Sequence, residues 1–355
     1  MNNHYFRRVS ALTPTKFWIN NPTREQADLA IEEGAVGCTN NPSYSQKMID
    51  HDKESTYAST LLDEAVRETN SATEAAVVFQ RKLVKPIAEK FLPLFERTKG
   101  MDGYVSIQGD PINEEDPDVI IREAEGNLDL GKNICCKVPT TKSGLKAMEV
   151  LIGKGVAINA TEIFGVSQMI SLCELYERVT SRMAKKPMLY MSHITGIYDD
   201  YLKNYVAAKH VDIIPDILWQ AGLAIARKTY KVMKERGYKS VFVAGGARGL
   251  HHFTEMVGGE VCVTINWEGT ADKLLDVDYP VVYRLFNPPP DSVIKELMEK
   301  LPDFKKGYLD DGLHEEEYES FGPVQLFRSS FMKSWMKVVN LAEGRRSVLK
   351  EKALT

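Results

Sequence analysis

The chain has 355 residues, 43% of them hydrophobic, enough for one large core with appendages or for two ordinary domains. With 45 basic against 49 acidic residues the net charge is −4, and no block of like charge is long enough to serve as an arm for nucleic acid or a membrane surface. A small neutral or anionic metabolite is the more natural partner. The amino terminus, Met1-Asn-Asn-His-Tyr-Phe-Arg-Arg8, has no apolar signal core, and no apolar run approaches the roughly 20 residues of a membrane helix, so the cytoplasm is the expected location. Cys38, Cys135, Cys136, Cys173 and Cys262 sit in or beside apolar segments without metal-ligand spacing and read as reduced core residues. Seven histidines include the adjacent pair His251-His252 but no His-x-x-x-His, and no metal is expected.

Short apolar strands alternate with amphipathic helical stretches along most of the chain, the signature of βα units around a parallel sheet. The first two strands are expected at Lys16 to Asn20 and Ala35 to Thr39. Glu54 to Lys99 then reads as about two helices, with Leu61, Leu62, Ala65, Val77, Phe79, Leu83, Ile87 and Phe91 at helical spacing for packing on the outside of a barrel. Six further strands follow at Gly103 to Gln108, Ile134 to Val138, Val156 to Asn159, Met188 to Ser192, Ser240 to Ala244 and Val261 to Ile265. Eight strands favour a closed (β/α)8 TIM barrel, here residues 1–275, over an open sheet. Residues 276–355 are expected to form a C-terminal helical extension that begins at the rigid turn Asn287-Pro-Pro-Pro290, wraps the barrel and covers its mouth.

Within the fourth strand, Ile134-Cys-Cys-Lys-Val138, a single lysine interrupts an apolar run that stops at Pro139. Lys137 thus falls at the strand's carboxyl end, where β/α barrels carry their chemistry. A buried ammonium loses hydration, its pKa falls, and the free amine can attack a ketone to form a Schiff base. Lowering a lysine pKa from about 10.4 to about 7 costs roughly 4 to 5 kcal/mol, which a fold accepts mainly where function requires it. The alternative is a lysine whose stem is buried and whose head reaches water, and the segment alone leaves both open.

Three motifs bear on that choice. Gly37-Cys-Thr-Asn-Asn-Pro-Ser43 resembles the Gly-Val-Thr-Ser-Asn-Pro-Thr signature of the transaldolase family. Lys137-Val-Pro-Thr-Thr with Ser143-Gly144-Leu145 resembles the family's Lys-Ile-Pro-Ala-Thr and its following glycine, and Ile158-Asn-Ala-Thr-Glu-Ile-Phe164 resembles its Asn-x-Thr-x-x-Phe. The resemblance runs from about Trp18 to Ile265, with a loose match in the tail. It implies a (β/α)8 barrel with Lys137 as Schiff-base nucleophile. It also implies that Thr39, Asn41 and Asn159 contact the sugar, that Thr161 positions the catalytic water, and that Ser192 faces the pocket. Residues Asn159 and Thr161 are two apart on a strand and so point the same way. Asn41-Pro42 has a plainer reading as a turn, which does not exclude a binding role. Arg248, in Gly245-Gly-Ala-Arg-Gly249 after the seventh strand, falls where the family has an arginine for substrate phosphate, and glycines there free backbone N–H groups for an anion.

Departures from the family pattern are as informative. The family's first-strand aspartate, which shuttles a proton in bond cleavage, corresponds to Asn20, and an amide cannot do this. Its third-strand glutamate corresponds to Gln108, as in the related fructose-6-phosphate aldolases. Asp110, two residues on, is the candidate for a relocated carboxylate if the strand continues; otherwise it belongs to a surface loop. The arginine expected five residues after Ser192 is Ile197, so half of the phosphate clamp is absent.

The leading expectation is a transaldolase-type enzyme of carbohydrate metabolism and the pentose phosphate pathway. It moves a three-carbon dihydroxyacetone unit from a ketose, as phosphate or related anionic sugar, to an aldehyde acceptor, without a cofactor because the protonated imine is the electron sink. A class I aldolase releasing dihydroxyacetone is the alternative, favoured slightly by Gln108. A non-catalytic sugar-binding barrel is permitted by Asn20 and Ile197 and opposed by the retained Lys137. Whether the chain forms a homo-oligomer is left open.

Overall fold

In the computed structural model, which describes residues 4–277 and 279–354, eight parallel strands close into a barrel in chain order. They are β1 (Lys16–Asn20), β2 (Gly37–Asn40), β3 (Tyr104–Gln108), β4 (Ile134–Pro139), β5 (Ile158–Ile163), β6 (Leu189–Ile194), β7 (Val241–Gly245) and β8 (Val261–Ile265). The barrel closes where β8 pairs with β1, from Lys16 opposite Cys262 to Ile19 opposite Ile265. With helices between the strands, this is the (β/α)8 barrel that the strand pattern predicts. The main difference lies in β5, which continues past Asn159 to Ile163 through a register shift between Ala160 and Ile163.

Alternation along the strands builds the lumen in layers. Trp18, Cys135, Tyr190, Val243 and Cys262 form a buried apolar cluster in it, with the rings of Trp18 and Tyr190 4.7 Å apart. Gly37 makes room for this plug, since a Cβ there would lie 2.3 Å from the Trp18 ring. Two residues further along the strands the lumen turns polar, with Asn20, Thr39, Lys137, Ser192 and Thr264. The plug is therefore a dry floor beneath a polar pocket at the carboxyl ends.

Three helical features fix that pocket. Helices Ser55–Glu68 and Ala72–Arg97 fill the span between β2 and β3, and the second sends the buried Gln80 to donate to Asn41 O at 3.4 Å. After β4, Thr141 caps the helix Lys142–Gly153 by accepting from Gly144 N at 3.0 Å. A Cβ on Gly144 would lie 1.8 Å from Pro139 O, so this glycine lets the helix start directly against the strand that carries Lys137. Beyond β8, helices Asp291–Lys300 and Pro302–Tyr308 lead to the long helix Gly322–Leu354. That helix packs on Ala72–Arg97 and sets Phe327, Ser330 and Phe331 at the mouth of the barrel. No helix among the described residues is long and apolar enough to cross a membrane.

Candidate active site

Lys137 reaches the lumen from β4, in register with Gln108 of β3 on one side and Asn159 of β5 on the other. It is only 6% exposed. Its Nζ donates to Gln108 Oε1 at 3.0 Å and lies 5.6 Å from the centre of the Phe331 ring. Burial pulls its pKa from 10.5 down to about 8, against the opposing pull of Glu162 and Glu114. A fraction of the amine is therefore unprotonated at neutral pH.

The pocket above Lys137 has a volume of roughly 280 Å³. Asn20, Thr39, Asn41, Ser192 and Arg248 line it together with Lys137, so the structure gathers most of the residues singled out by sequence. They are held by one another. Ser192 Oγ donates to Asn159 Oδ1 at 2.7 Å, and Asn159 Nδ2 donates to Ser106 Oγ at 3.1 Å. Thr39 Oγ1 donates to Asn20 Oδ1 at 2.8 Å, and Asn20 Nδ2 donates to Asn266 Oδ1 at 2.8 Å. Asn41 N–H donates to Asn21 Oδ1 at 3.0 Å, with Asn21 in a left-handed backbone at φ 45°. Thr161 is fully buried opposite Pro139, its hydroxyl without a partner, and stands in the wall outside the pocket lining.

Asp110 is not brought into this pocket. The chain turns away at Gly109, where a Cβ would lie 1.9 Å from Glu123 Oε2, and Asp110 closes a local turn. Its Oδ1 accepts from Ile112 N at 2.8 Å and its Oδ2 from Asn113 Nδ2 at 2.7 Å. Parity with Gln108 holds only if the strand continues, and β3 ends at Gln108.

Sequence reasoning also missed residues that the fold brings in. Lys47 lines the pocket, donating to Asn21 O at 2.7 Å, and burial lowers its pKa. The lining thus holds three cations, Lys47, Lys137 and Arg248, and no carboxylate. Arg248 pairs at its Nε with Asp200 Oδ2, both side chains being 43% exposed. Its backbone N–H donates to His252 Nδ1 at 3.1 Å, and His252 Nε2 faces Asp199 Oδ2 at 2.9 Å. Asp199, His251 and His252 are the one group among the described residues with donors close enough for a metal. Both His252 nitrogens are already used in holding the Arg248 turn.

Behind Lys137 lies a second buried network. Glu162, fully buried in β5, accepts from Gln108 Nε2 at 3.1 Å. Burial lifts its pKa from 4.5 to about 7, with Lys137 pulling the other way. Glu114 is also held well above its ordinary range, by burial and then by Glu162, and forms a 2.8 Å ion pair with Arg328 of the C-terminal helix that lacks hydrogen-bond alignment.

A match to the family described as transaldolase/fructose-6-phosphate aldolase covers residues 17–310, from β1 to beyond β8. The chain belongs to that family. Among curated relatives, "Transaldolase 1" of Streptomyces avermitilis is 28% identical over 232 residues, covering 61% of each chain. "Transaldolase" of Trichodesmium erythraeum is 29% identical over 261 residues, 65% of this chain and 67% of that one. The chain therefore spans about three fifths to two thirds of the length of these relatives. A crystal structure of 2,3-dimethylmalate lyase aligns over 95% of the chain at 12% identity with a TM-score of 0.31, a likeness too slight to carry an argument.

Proposed function

We propose that this chain is a transaldolase-type transferase acting on sugar phosphates. The Lys137 amine adds to the carbonyl carbon of a ketose, and water leaves to give a protonated imine. The hydroxyl on the carbon beyond the adjacent hydroxyl-bearing carbon gives its proton to water in the pocket, the bond between those two carbons breaks, its electron pair passes into the imine, and an aldehyde departs. The three-carbon enamine left on Lys137 adds to an acceptor aldehyde, and water releases the new ketose. The protonated imine is the electron sink, so the reaction as written requires no cofactor.

One observation carries the reading: Lys137, which falls where the family's motif has its lysine, is buried in the barrel lumen at the carboxyl end of β4, where desolvation lowers its pKa. The anionic substrate class is supported by a lining that carries Lys47, Lys137 and Arg248 and no carboxylate, although Asp200 outside the lining pairs with Arg248. Asn41, Asn159, Ser192 and Thr39 are assigned to the sugar hydroxyls, Thr161 and Gln108 to the water, and Arg248 to the phosphate. Asp110, bound in its turn, is dropped as proton carrier. A cytoplasmic location fits the five buried free cysteines. Gln108 in place of a carboxylate favours a second reading, in which water releases dihydroxyacetone from the enzyme. Product analysis separates the two: fructose 6-phosphate with a four-carbon aldose phosphate should give a seven-carbon ketose phosphate. Dihydroxyacetone at the same rate with or without acceptor would establish the lyase and refute the transferase.

A further inference from the structure

Beside Lys137 lies a carboxylate that strand alternation does not put there. Residues Asn159 and Thr161 share the parity that leaves Glu162 for the helix side. The register of β5 shifts at this point, and Glu162 takes a left-handed backbone with φ 61°. A non-glycine residue in that conformation is strained by its Cβ. Glu162 is fully buried, its Oε1 is bound by Gln108 Nε2, and its Oε2 has no hydrogen-bond partner. Strain, burial of a titratable group and an unpartnered oxygen coincide at one residue. Packing alone explains none of these, since an apolar side chain would fill the space without them.

We infer that Glu162 is the positioning carboxylate of the Schiff-base chemistry, linked to Lys137 through the Gln108 amide so that the two share one proton. The inference rests on the role proposed above for Lys137. In one state the Lys137 ammonium donates to Gln108 Oε1 and ionised Glu162 accepts from Gln108 Nε2–H, as observed. In the other, the proton has moved from Lys137 Nζ to a Glu162 oxygen. The amide then turns half a rotation, donating N–H to the neutral amine and accepting from the Glu162 hydroxyl. Both states have zero net charge. The neutral amine that attacks a ketone is thus generated inside the barrel. When the carbinolamine hydroxyl is expelled as water it leaves with the proton held by Glu162, and the cationic imine faces an ionised carboxylate. Burial brings the two placements close in energy, with Lys137 pulled down to about 8 and Glu162 pushed up to about 7. The other charged groups facing the pair are Glu114 and Glu115, both paired with Arg328, and Lys47 and Arg248 across the pocket.

The test reads Lys137 without any sugar. Carbamoylation by cyanate consumes the neutral amine, and its rate at Lys137 is followed against pH by peptide mass, relative to a free lysine peptide. Three proteins are compared: wild type, Glu162→Gln and Gln108→Glu/Glu162→Gln. Removing the carboxylate should lower the midpoint by about one pH unit, as loss of a close opposite charge does. The exchanged double variant should restore the wild-type midpoint or raise it. A folded Glu162→Gln protein with an unchanged midpoint overturns the inference. A double variant titrating below wild type also overturns it, and that arm decides if Glu162→Gln alone does not fold. If both shifts occur but no ketose ever forms an adduct on Lys137, the coupling stands and the Schiff-base function fails.

Discussion

Phe331 closes the pocket over Lys137 and acts on the ammonium in two opposed ways. As an aromatic face 5.6 Å from Nζ it favours the charged form, a cation–π attraction worth up to about 2 kcal/mol when desolvated. As a cover, itself 3% exposed, it excludes water and disfavours that form. The fall from 10.5 to about 8 corresponds to roughly 3 kcal/mol at about 1.36 kcal/mol per unit, so desolvation outweighs the attractions. At pH 7 a lysine titrating near 8 is about one-tenth neutral, against about 1 in 3,000 for one near 10.5, a gain of roughly 300-fold in reactive amine. Phe331→Ala should readmit water and raise the midpoint by about one unit, cutting imine formation at pH 7 about tenfold. Phe331→Leu keeps the apolar cover, removes the ring and should leave the midpoint at or below that of wild type. Trapping with cyanoborohydride in the presence of fructose 6-phosphate, measured against pH with circular dichroism to confirm folding, gives these midpoints. A Phe331→Ala midpoint at or below wild type would refute the reasoning, because the ring's attraction would then outweigh its exclusion of water.

Arg248→Ala should raise KM for a sugar phosphate about tenfold or more, the usual consequence of losing a charge-assisted contact. Because Asp200 already occupies that guanidinium, Asp200→Asn should lower the same KM severalfold, and an unchanged KM in both variants would make the pair structural. Asn20→Asp, which keeps the bond from Thr39 and adds a carboxylate among three cations, should speed bond cleavage, by up to about 10² for a well-placed acid–base group. Asp110→Asn should stay within about threefold of wild-type activity; a loss beyond 100-fold would return Asp110 to the chemistry. Gly144→Ala should destabilise the protein by about 1 to 3 kcal/mol in denaturant unfolding, since its Cβ must displace the end of β4, and a neutral result would contradict the close approach seen there.

What could be read from sequence was whatever alternation and local motif express. Lys137 stands out as a lone charge in an apolar strand, Asn159 and Ser192 come from the resemblance to family motifs, and strand parity adds only that Thr161 points the same way as Asn159. Parity places Asp110 beside Gln108 only if β3 runs on through Gly109, where the backbone turns instead. Glu162 was illegible for the opposite reason: β5 was expected to stop at Asn159, while a bulge carries it to Ile163 and rotates the side chain inward. Alternation cannot anticipate a bulge. Lys47 and Asp200 reach the site from the helices that follow β2 and β6, and Arg328 and Phe331 from the C-terminal helix, far away in sequence. Such contacts depend on how helices pack on the barrel, which periodicity leaves undetermined.

The most direct measurement is to incubate the protein with fructose 6-phosphate, reduce with borohydride, and locate the adduct by peptide mass. A single three-carbon adduct on Lys137, absent from Lys137→Ala, is the result expected from a pocket that buries this amine and leaves it in part unprotonated. An adduct on Lys47 instead, or three-carbon transfer that continues in Lys137→Ala, would contradict the account.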